Sequence, residues 1–423
     1  MNTRYQPGKA WSIAILLALF ILINFIDKVV VGLVAVPLMS ELGLTPVQFG
    51  VVAGSFFWLY SISGVAGGFI SNRVKASTLL LVMAVIWSVA QIPIAISSSV
   101  TMLIAARVLL GVGEGPAWPV AIHACFKWFP DDKRNLPVSV IAQGATLGLL
   151  VAGIGIPVVT AHWGWRANFV LLGVMGVAWC ALWLAFGAEG AIEDKPKPGQ
   201  GSAQRVPYAR LLADRTVWGN FLLHFVAYWG LALTLTWLPS YLQKGLGYSA
   251  ITAGQLFAMV VAIGTPINVG LSWWSQRMMA RGASSRSARG VFASVGLLVA
   301  GVLFVALMYL DLTNMQKVLL IAVASGLTPI IYSLGPTMLG EVTPGAQRGG
   351  ILAIDNSIAS IAGILAPIVT GRLVEVASSN GGAGYEQGFA VSGLLLIGGG
   401  VIGLLCLFPE ASARKLRAQP AAA

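Results

Sequence analysis

Four charged residues interrupt otherwise apolar stretches of this chain: Asp27, Lys28, Arg107 and Glu114. A charge at the centre of a bilayer costs roughly 2.5–3.5 kcal/mol on insertion scales, so such residues usually face a cavity and mark a pathway. A carboxylate in dry surroundings can exchange a proton, and a cation there can hold an anion. The residue types therefore indicate proton exchange and anion binding inside a membrane. The alternative is a set of structural ion pairs that fix helix packing.

The spacing of these residues decides which of them can pair. Arg107 and Glu114 are seven residues apart, so on a helix they share one face about 10 Å apart, and no direct bond is expected. Asp27 and Lys28 are adjacent and point about 100° apart, so each needs another partner. We predict that Asp27 alternates between a protonated state and pairing with Arg107. Lys28 is predicted to bind an anion, or alternatively only to extend its charge to the membrane interface.

Small residues surround Glu114. Gly111 lies one helical turn from Arg107, and Gly113, Gly115 and Pro116 lie around Glu114. These residues are expected to leave space near the carboxylate and to loosen the helix. Glu114 is therefore predicted to carry a proton.

Membrane-spanning helices must position these residues. The 423 residues are 57% hydrophobic and 10% charged, whereas soluble domains carry about 25% charged residues. Stretches near the roughly 20 residues that cross a bilayer recur along the chain, for example at 82–96, 291–310 and 389–407. Long apolar runs without alternation exclude a β-barrel. We predict an all-α integral membrane protein.

The chain divides into two halves of six spans. The halves are residues 1–188 and 217–423, and the linker 189–216 is rich in Pro, Gly, Ser and mixed charge. The loop at 67–73 is echoed at 270–277, which indicates pseudo-symmetric repeats; such repeats occur in transporters that bind substrate between the halves near the midplane. The predicted spans lie near 11–34, 48–70, 77–96, 101–124, 136–160, 167–187, 217–239, 250–274, 291–310, 317–341, 350–372 and 389–408.

The net charge of +11 comes largely from Lys and Arg in the loops on one side of the predicted membrane. This asymmetry predicts a multi-pass protein of the cell (inner) membrane with both termini in the cytoplasm, and no nucleic-acid partner. Cys125, Cys180 and Cys406 are isolated, so neither a disulfide framework nor a metal site is indicated. No cofactor is implied, and we expect a monomer.

The repeated loop resembles the Gly-x-x-x-Asp-Arg-x-Gly pattern of the major facilitator superfamily. Asn72 and Gln276 stand at the acidic position, and Lys75 replaces the later glycine. In that family the charge pairing of this loop stabilises the outward-open form, so these changes leave the conformational bias open. The resemblance implies the major facilitator fold.

Three further stretches resemble the anion:cation symporter branch of that superfamily, which includes galactonate and hexuronate carriers. They are residues 24–28, 107–116 with Trp-Phe-Pro at 128–130, and 362–367. The resemblance implies proton-coupled symport of a small organic anion, a sugar acid or an aromatic or other carboxylate, into the cell by alternating access.

The resemblance also assigns roles to residues. The carboxylates that match Asp27 and Glu114 take up the coupled protons. The basic residue that matches Lys28, commonly Arg, contacts the substrate carboxylate. Further substrate-binding candidates are Arg107 and the residues at positions matched in galactonate carriers: Tyr60, Ser333 and Asn356.

Polar residues in the second half supply weaker candidates. Asp355 and Ser360 flank Asn356 on the predicted eleventh span, and His224 shares a stripe with Asn220 and Tyr228 on the seventh. The alternative role for His224 is a hydrogen bond between helices.

Three other functional classes remain to be weighed. A proton-coupled drug or metabolite antiporter has a glycine pattern that Gly144 and Gly153 fit in part, although Pro157 replaces one glycine. An enzyme is disfavoured because no HExxH, GxSxG, P-loop or nucleotide motif is present. A sensor that transports nothing stays open.

Overall fold

The computed structural model describes residues 6–70, 73–130, 133–190, 192, 206–377 and 382–418, and every regular element among them is helical. The α-helices in chain order are α1 (Pro7–Leu33), α2 (Ala35–Leu42), α3 (Pro46–Ser55), α4 (Tyr60–Ile70), α5 (Ala76–Ile96), α6 (Val100–Glu114), α7 (Ala117–Phe126), α8 (Asn135–Trp163), α9 (Arg166–Phe186), α10 (Tyr208–Leu212), α11 (Arg215–Thr236), α12 (Leu238–Ser240), α13 (Ala250–Ala280), α14 (Phe292–Tyr309), α15 (Asn314–Leu327), α16 (Ile330–Val342), α17 (Arg348–Val376), α18 (Ala383–Cys406) and α19 (Pro409–Ala418). Single π-helical segments occupy Tyr241–Gly245 and Arg286–Val291, and a 3₁₀ turn occupies Gly345–Gln347.

Membrane-spanning helices account for most of this structure. By length and composition, eleven helical stretches of the described residues can cross a membrane, and α11 with Leu238–Gly245 makes a twelfth that bends by 45°. Several spans consist of two helices in succession, as in α6 with α7 and α15 with α16. The all-α membrane fold predicted from hydropathy is confirmed.

The described residues group into two compact units. Unit one comprises the described residues of 1–196 together with 235–258, and unit two comprises those of 197–234 and 259–423. Segment 235–258 joins unit one because backbone meets backbone there: Gly32 lies against Leu235, and Gly153 lies against Gly254. The division into six-span halves stays a prediction.

Two segments that the sequence predicts as connections between spans, the second loop motif and the linker, are helical in part. Residues 270–277, the second copy of the loop motif, lie inside α13, which continues to Ala280 before Gly282 takes a positive φ of 87°. Asn72 of the first copy lies outside the described residues, as do 191 and 193–205 of the predicted linker. The rest of the linker includes α10 and the first residues of α11.

Close packing holds α1 within unit one. A Cβ added at Gly144 or Gly148 of α8 would collide with the α1 backbone at Ala18 or Leu22. The indole N–H of Trp179 on α9 donates to the carbonyl of Leu16 at 2.9 Å. Small residues permit such contacts between helices in lipid, where packing and hydrogen bonds replace the hydrophobic effect. These contacts fix which face of α1 points inward.

The span that carries Glu114 is broken beside that residue. Helix α6 ends at Glu114, and α7 begins at Ala117, after Pro116, which has no N–H to donate. The predicted loosening of the helix is therefore present. The expected open space is not, because a Cβ at Gly111 would collide with the carbonyl of Phe56, and one at Gly115 with that of Tyr60. The glycines bring α6 against α3 and α4 instead.

A glutamate after the last span of each predicted half caps the N-terminus of another helix. Glu189 accepts hydrogen bonds from the N–H groups of Ala76 and Ser77, at the start of α5. Glu410 accepts from those of Ser285 and Arg286, at the π-helical start of the α14 span. The first N–H groups of a helix have no partner inside it, and a carboxylate there also complements the helix dipole.

Candidate functional site

Asp27 lies inside unit one with 1% of its surface exposed. Its Oδ1 accepts a hydrogen bond from Gln91 Nε2 of α5 at 3.0 Å, while its Oδ2 has no partner among the described residues. Removing a charge from water costs several kcal/mol unless the charge is paired. A carboxyl group in this setting can hold a proton and release it when a cation approaches.

Arg107 is the cation that the sequence predicts to pair with Asp27, but it does not bind the Asp27 carboxylate. Its Nη1 donates to the backbone carbonyl of Asp27 at 3.4 Å, and its guanidinium lies 4.8 Å from the centre of the Phe56 ring. Its Nε has no hydrogen-bond partner among the described residues. Arg107 interacts electrostatically with both Glu114 and Asp27.

Glu114 is fully buried, with 0% of its surface exposed. Both carboxylate oxygens lack a hydrogen-bond partner among the described residues. Its electrostatic neighbours are Asp27, Lys28 and Arg107. An ionised carboxylate without hydrogen bonds in a water-free site is strongly unfavourable, whereas the neutral acid avoids most of that cost. This arrangement suits a group that binds a proton.

Lys28 leaves α1 on another face than Asp27, as their spacing requires. Its Nζ donates to Asn24 Oδ1 at 2.7 Å and lies 4.5 Å from the Phe25 ring centre and 5.3 Å from that of Tyr60. A partly exposed ammonium held by one amide and two aromatic faces keeps donors for another ligand. The structure therefore brings Tyr60 close to Lys28.

No salt bridge joins any pair among these four charged side chains in the described structure, although all four belong to one electrostatic cluster. A purely structural role would favour paired ions, since pairing repays the cost of burial. Two unpaired cations and two unpaired carboxyl groups can instead bind an anion and protons in turn.

Unit two contains a separate polar cluster. Asp355 of α17, with 2% of its surface exposed, accepts from His224 Nδ1 at 2.7 Å and from Asn220 Nδ2 at 3.4 Å. The ring of Tyr332 lies 5.2 Å from that of His224. The structure therefore brings Asp355 and His224 together.

The other candidates of the second half lie on α16 and α17. Ser360 Oγ donates to the carbonyl of Ser357 in its own helix at 2.9 Å. Asn356 lies beside Asp355 on α17 and is half-buried, and Ser333 is exposed on α16. The described residues contain no group of three His, Cys, Asp or Glu side chains that could hold a metal ion.

The sequence matches a known family over most of the spans. The profile of the Major Facilitator Superfamily matches residues 16–310. The chain belongs to the Major Facilitator Superfamily. The recognition of that superfamily from the loop and span motifs is confirmed, and this family membership identifies a multi-span membrane transporter, not an enzyme.

Relatives within the Major Facilitator Superfamily cover nearly the whole chain. The probable sulfoacetate transporter SauU of Cupriavidus necator is 28% identical and covers 93% of this chain and 92% of its own length. The hexuronate transporter of Bacillus subtilis is 25% identical, with 88% and 90% covered. The chloroplastic sodium-dependent phosphate transport protein 1 of Arabidopsis thaliana is 27% identical, with 92% and 78% covered.

Solved structures of Major Facilitator Superfamily transporters share the fold. A bacterial homologue of the human lysosomal transporter Spinster superimposes with a TM-score of 0.81 at 17% identity, covering 98% of this chain and 100% of the other. A D-xylose–proton symporter gives a TM-score of 0.72, also at 17% identity, with 97% and 99% covered. At such identities the comparison establishes the architecture alone.

Sequence reasoning missed two residues that the Major Facilitator fold brings to the charged cluster. Gln91 interrupts the apolar stretch at 82–96 and donates to Asp27, and Asn24 accepts from Lys28. The signal that identifies Asn24 is its i, i+4 spacing from Lys28. A buried amide in a third span is a comparable signal for Gln91, because polar groups in lipid seek a partner on a neighbouring helix.

Proposed function

We propose that this transporter carries a small organic anion into the cell together with protons, by alternating access. The observation that carries the proposal is the cluster of buried Asp27, Arg107 and Glu114 with the partly exposed Lys28, in which no two side chains form a salt bridge with each other in the described structure. Buried charges that do not compensate one another need other partners, and an anion and protons are the partners that these residue types take.

Lys28 is the proposed anchor for the anion. It is the more exposed of the two cations, and within the described part of the chain its ammonium group, which has three donors, makes one hydrogen bond, to Asn24. Tyr60 lies over the same ammonium and is proposed to line the site. A Lys supplies a point charge and not a planar fork, so it tolerates carboxylate, sulfonate and phosphate groups alike. Arg107 adds the second positive charge that an anion would meet.

Asp27 and Glu114 are the proposed proton carriers. Neutralising either carboxyl group makes the cluster more positive, because Lys28 and Arg107 keep their charge. Proton binding would therefore favour anion binding, and release of protons would expel the anion, which is the thermodynamic basis of symport. The inward direction and the cytoplasmic termini belong to the same proposal.

The substrate class is supported by what the relatives are named for. Sulfoacetate, hexuronate and phosphate all carry negative charge at neutral pH, and ascorbate is the cargo named for another relative, a chloroplastic transporter of Arabidopsis thaliana. An anion with one strongly acidic group fits a site with one accessible cation. We propose a small carboxylate or sulfonate as the cargo.

Uptake into proteoliposomes tests this function. The panel contains sulfoacetate, glucuronate, inorganic phosphate, benzoate and an organic cation, each labelled, with and without an inward proton gradient. Lys28→Gln is compared with Lys28→Arg as the matched control that keeps the charge. A hydrogen bond to a charged group contributes about 1.5–3 kcal/mol, so Lys28→Gln should raise the KM for the transported anion roughly 10- to 150-fold, and Lys28→Arg far less.

The outcomes separate the functional classes. Gradient-stimulated uptake of one anion, weakened by Lys28→Gln but not by Lys28→Arg, supports anion–proton symport. Release of the organic cation against protons would identify an antiporter instead. An unchanged KM in Lys28→Gln would remove Lys28 from the binding site.

A further inference from the structure

His224 and Asp355 form the one His–carboxylate pair among the described residues of unit two. The pair joins α11 to α17 at 2.7 Å, and 13% of the His224 side chain is exposed against 2% for Asp355. Because Nδ1 faces the carboxylate, the other ring nitrogen, Nε2, is left as the position at which the imidazole can gain or lose a proton.

Polar side chains lie near this pair, and no Lys or Arg of the described ranges forms a salt bridge with it. On α11, Asn220 donates to Asp355, and the ring of Tyr228 lies 6.2 Å from that of His224. On α16, Tyr332 lies against the imidazole. Within the described part of the chain, Asn220 Oδ1 and the Tyr332 hydroxyl are buried and have no hydrogen-bond partner.

A buried carboxylate in a membrane-spanning helix must be neutralised. Among the described residues, His224 is the only side chain that forms a salt bridge with Asp355, and histidine is the side chain whose charge ordinarily changes between pH 5 and 8. The pair is thus electrically neutral when it holds one proton, negative when it holds none and positive when it holds two. The two unsatisfied atoms of Asn220 and Tyr332 can take up the change in hydrogen bonding that accompanies such a step.

We propose that His224 and Asp355 form a further proton-binding site of this transporter, in unit two and separate from Asp27 and Glu114. The inference rests on the proposed proton coupling and adds one exchangeable proton to it. A purely structural pair would only tie α11 to α17, in one protonation state throughout. The two roles differ in whether the imidazole titrates and in whether its proton counts towards transport.

Titration of the imidazole needs no substrate. The chain has three histidines, so ¹⁵N-histidine labelling of the full chain in nanodiscs, with His123→Gln and His162→Gln, leaves the His224 ring as the single signal. We expect this ring to change protonation between pH 5 and 8. Because the Asp355 carboxylate lies 2.7 Å from Nδ1 of this ring, Asp355→Asn should displace the midpoint of that change.

The transport arm measures protons per anion. With the membrane potential clamped, the proton gradient that balances a fixed anion gradient gives this stoichiometry for the anion that the wild type accumulates. His224→Gln and Asp355→Asn should each lower it by about one proton. At one pH unit of gradient this is a roughly tenfold lower accumulation ratio. His162→Gln is the matched control, because His162 is exposed and its contacts among the described residues, with the carbonyl of Val158 and the ring of Trp163, lie within its own helix.

Each outcome decides the matter. A titrating ring together with the reduced stoichiometry supports the site. A ring that keeps one state from pH 5 to 8, or an unchanged stoichiometry in both variants, overturns it and leaves a hydrogen bond between helices. If either single variant fails to fold, the double variant His224→Asn with Asp355→Asn restores an uncharged hydrogen bond for the same measurement. Should no anion be moved at all, the proposed function fails, and the ring titration alone still decides whether the pair binds a proton.

Discussion

Replacing Glu114 with Gln separates proton coupling from anion binding. The carboxyl group is fully buried and neither oxygen has a hydrogen-bond partner among the described residues, so the isosteric amide removes no hydrogen bond. The protein should therefore fold, with a melting temperature close to that of the wild type. The amide cannot exchange a proton, so the variant should exchange anions across the membrane but lose the coupled proton.

The size of the effect follows from the proton gradient. One proton moving down one pH unit supplies about 1.36 kcal/mol, which is a tenfold concentration ratio. Each of the protons proposed on Asp27 and Glu114 therefore adds a factor of about ten to the accumulation ratio of the anion at that gradient. Glu114→Gln should lower the ratio about tenfold.

The assay is steady-state accumulation in proteoliposomes with the membrane potential held at zero, together with counterflow in the absence of a gradient. Glu41→Gln serves as control, because Glu41 lies in α2 between two spans, where Arg166 and Trp165 donate to it. Accumulation by Glu114→Gln that equals the wild type would refute the role of Glu114 as a proton carrier. Loss of folding in that variant would show a structural role instead.

Two further predictions concern stability and pH. Gln91→Leu removes the donor to Asp27 at 3.0 Å and leaves a buried carboxyl oxygen unsatisfied, which costs about 1–3 kcal/mol. We expect this variant to have a lower melting temperature and a changed pH dependence of uptake, and Gln91→Asn to show smaller changes in both. An unaltered pH profile in the Leu variant would contradict the contact. For Glu189, partial burial raises the pKa, but the hydrogen bonds from Lys127 and from the N–H of Ser77 outweigh it and hold the pKa below its usual value of 4.5. A carboxyl pKa that is lower in the folded state stabilises the fold at pH values above the usual pKa, and this stabilisation is lost as the pH falls through the folded-state pKa. The difference in melting temperature between wild type and Glu189→Gln should therefore be full at pH 7 and disappear in acid. A difference that persists in acid would contradict the prediction.

The spans were predictable from the sequence because lipid imposes a simple rule on composition. Each predicted span corresponds to a helical stretch of the structure, and the charged residues stood out because they break apolar runs. The grouping of residues 235–258 with unit one was not predictable, since it depends on which glycine backbones meet in three dimensions.

The site was predictable to the extent that its residues carry charge. Asp27, Arg107 and Glu114 share one electrostatic cluster, but the hydrogen-bond donor to the Asp27 carboxylate is the uncharged Gln91, from a span with no other signal. The glycines near Glu114 were expected to open space and instead admit the backbone of α3 and α4. Glycine in a span has both uses, and only the neighbouring helix decides between them.

The two units keep the same helix-capping device but differ in their buried charges. Glu189 and Glu410 each follow the last span of a predicted half, and each caps the N-terminus of the third span in the same half. The polar interiors differ, because unit one has two cations with two carboxyl groups, and unit two pairs one carboxylate with His224. A cap depends only on backbone N–H groups that every helix start presents, so it survives sequence change, whereas buried charges are costly and persist only where each half needs them. The chemistry of unit two therefore depends on its own residues, and the symmetry with unit one does not predict it.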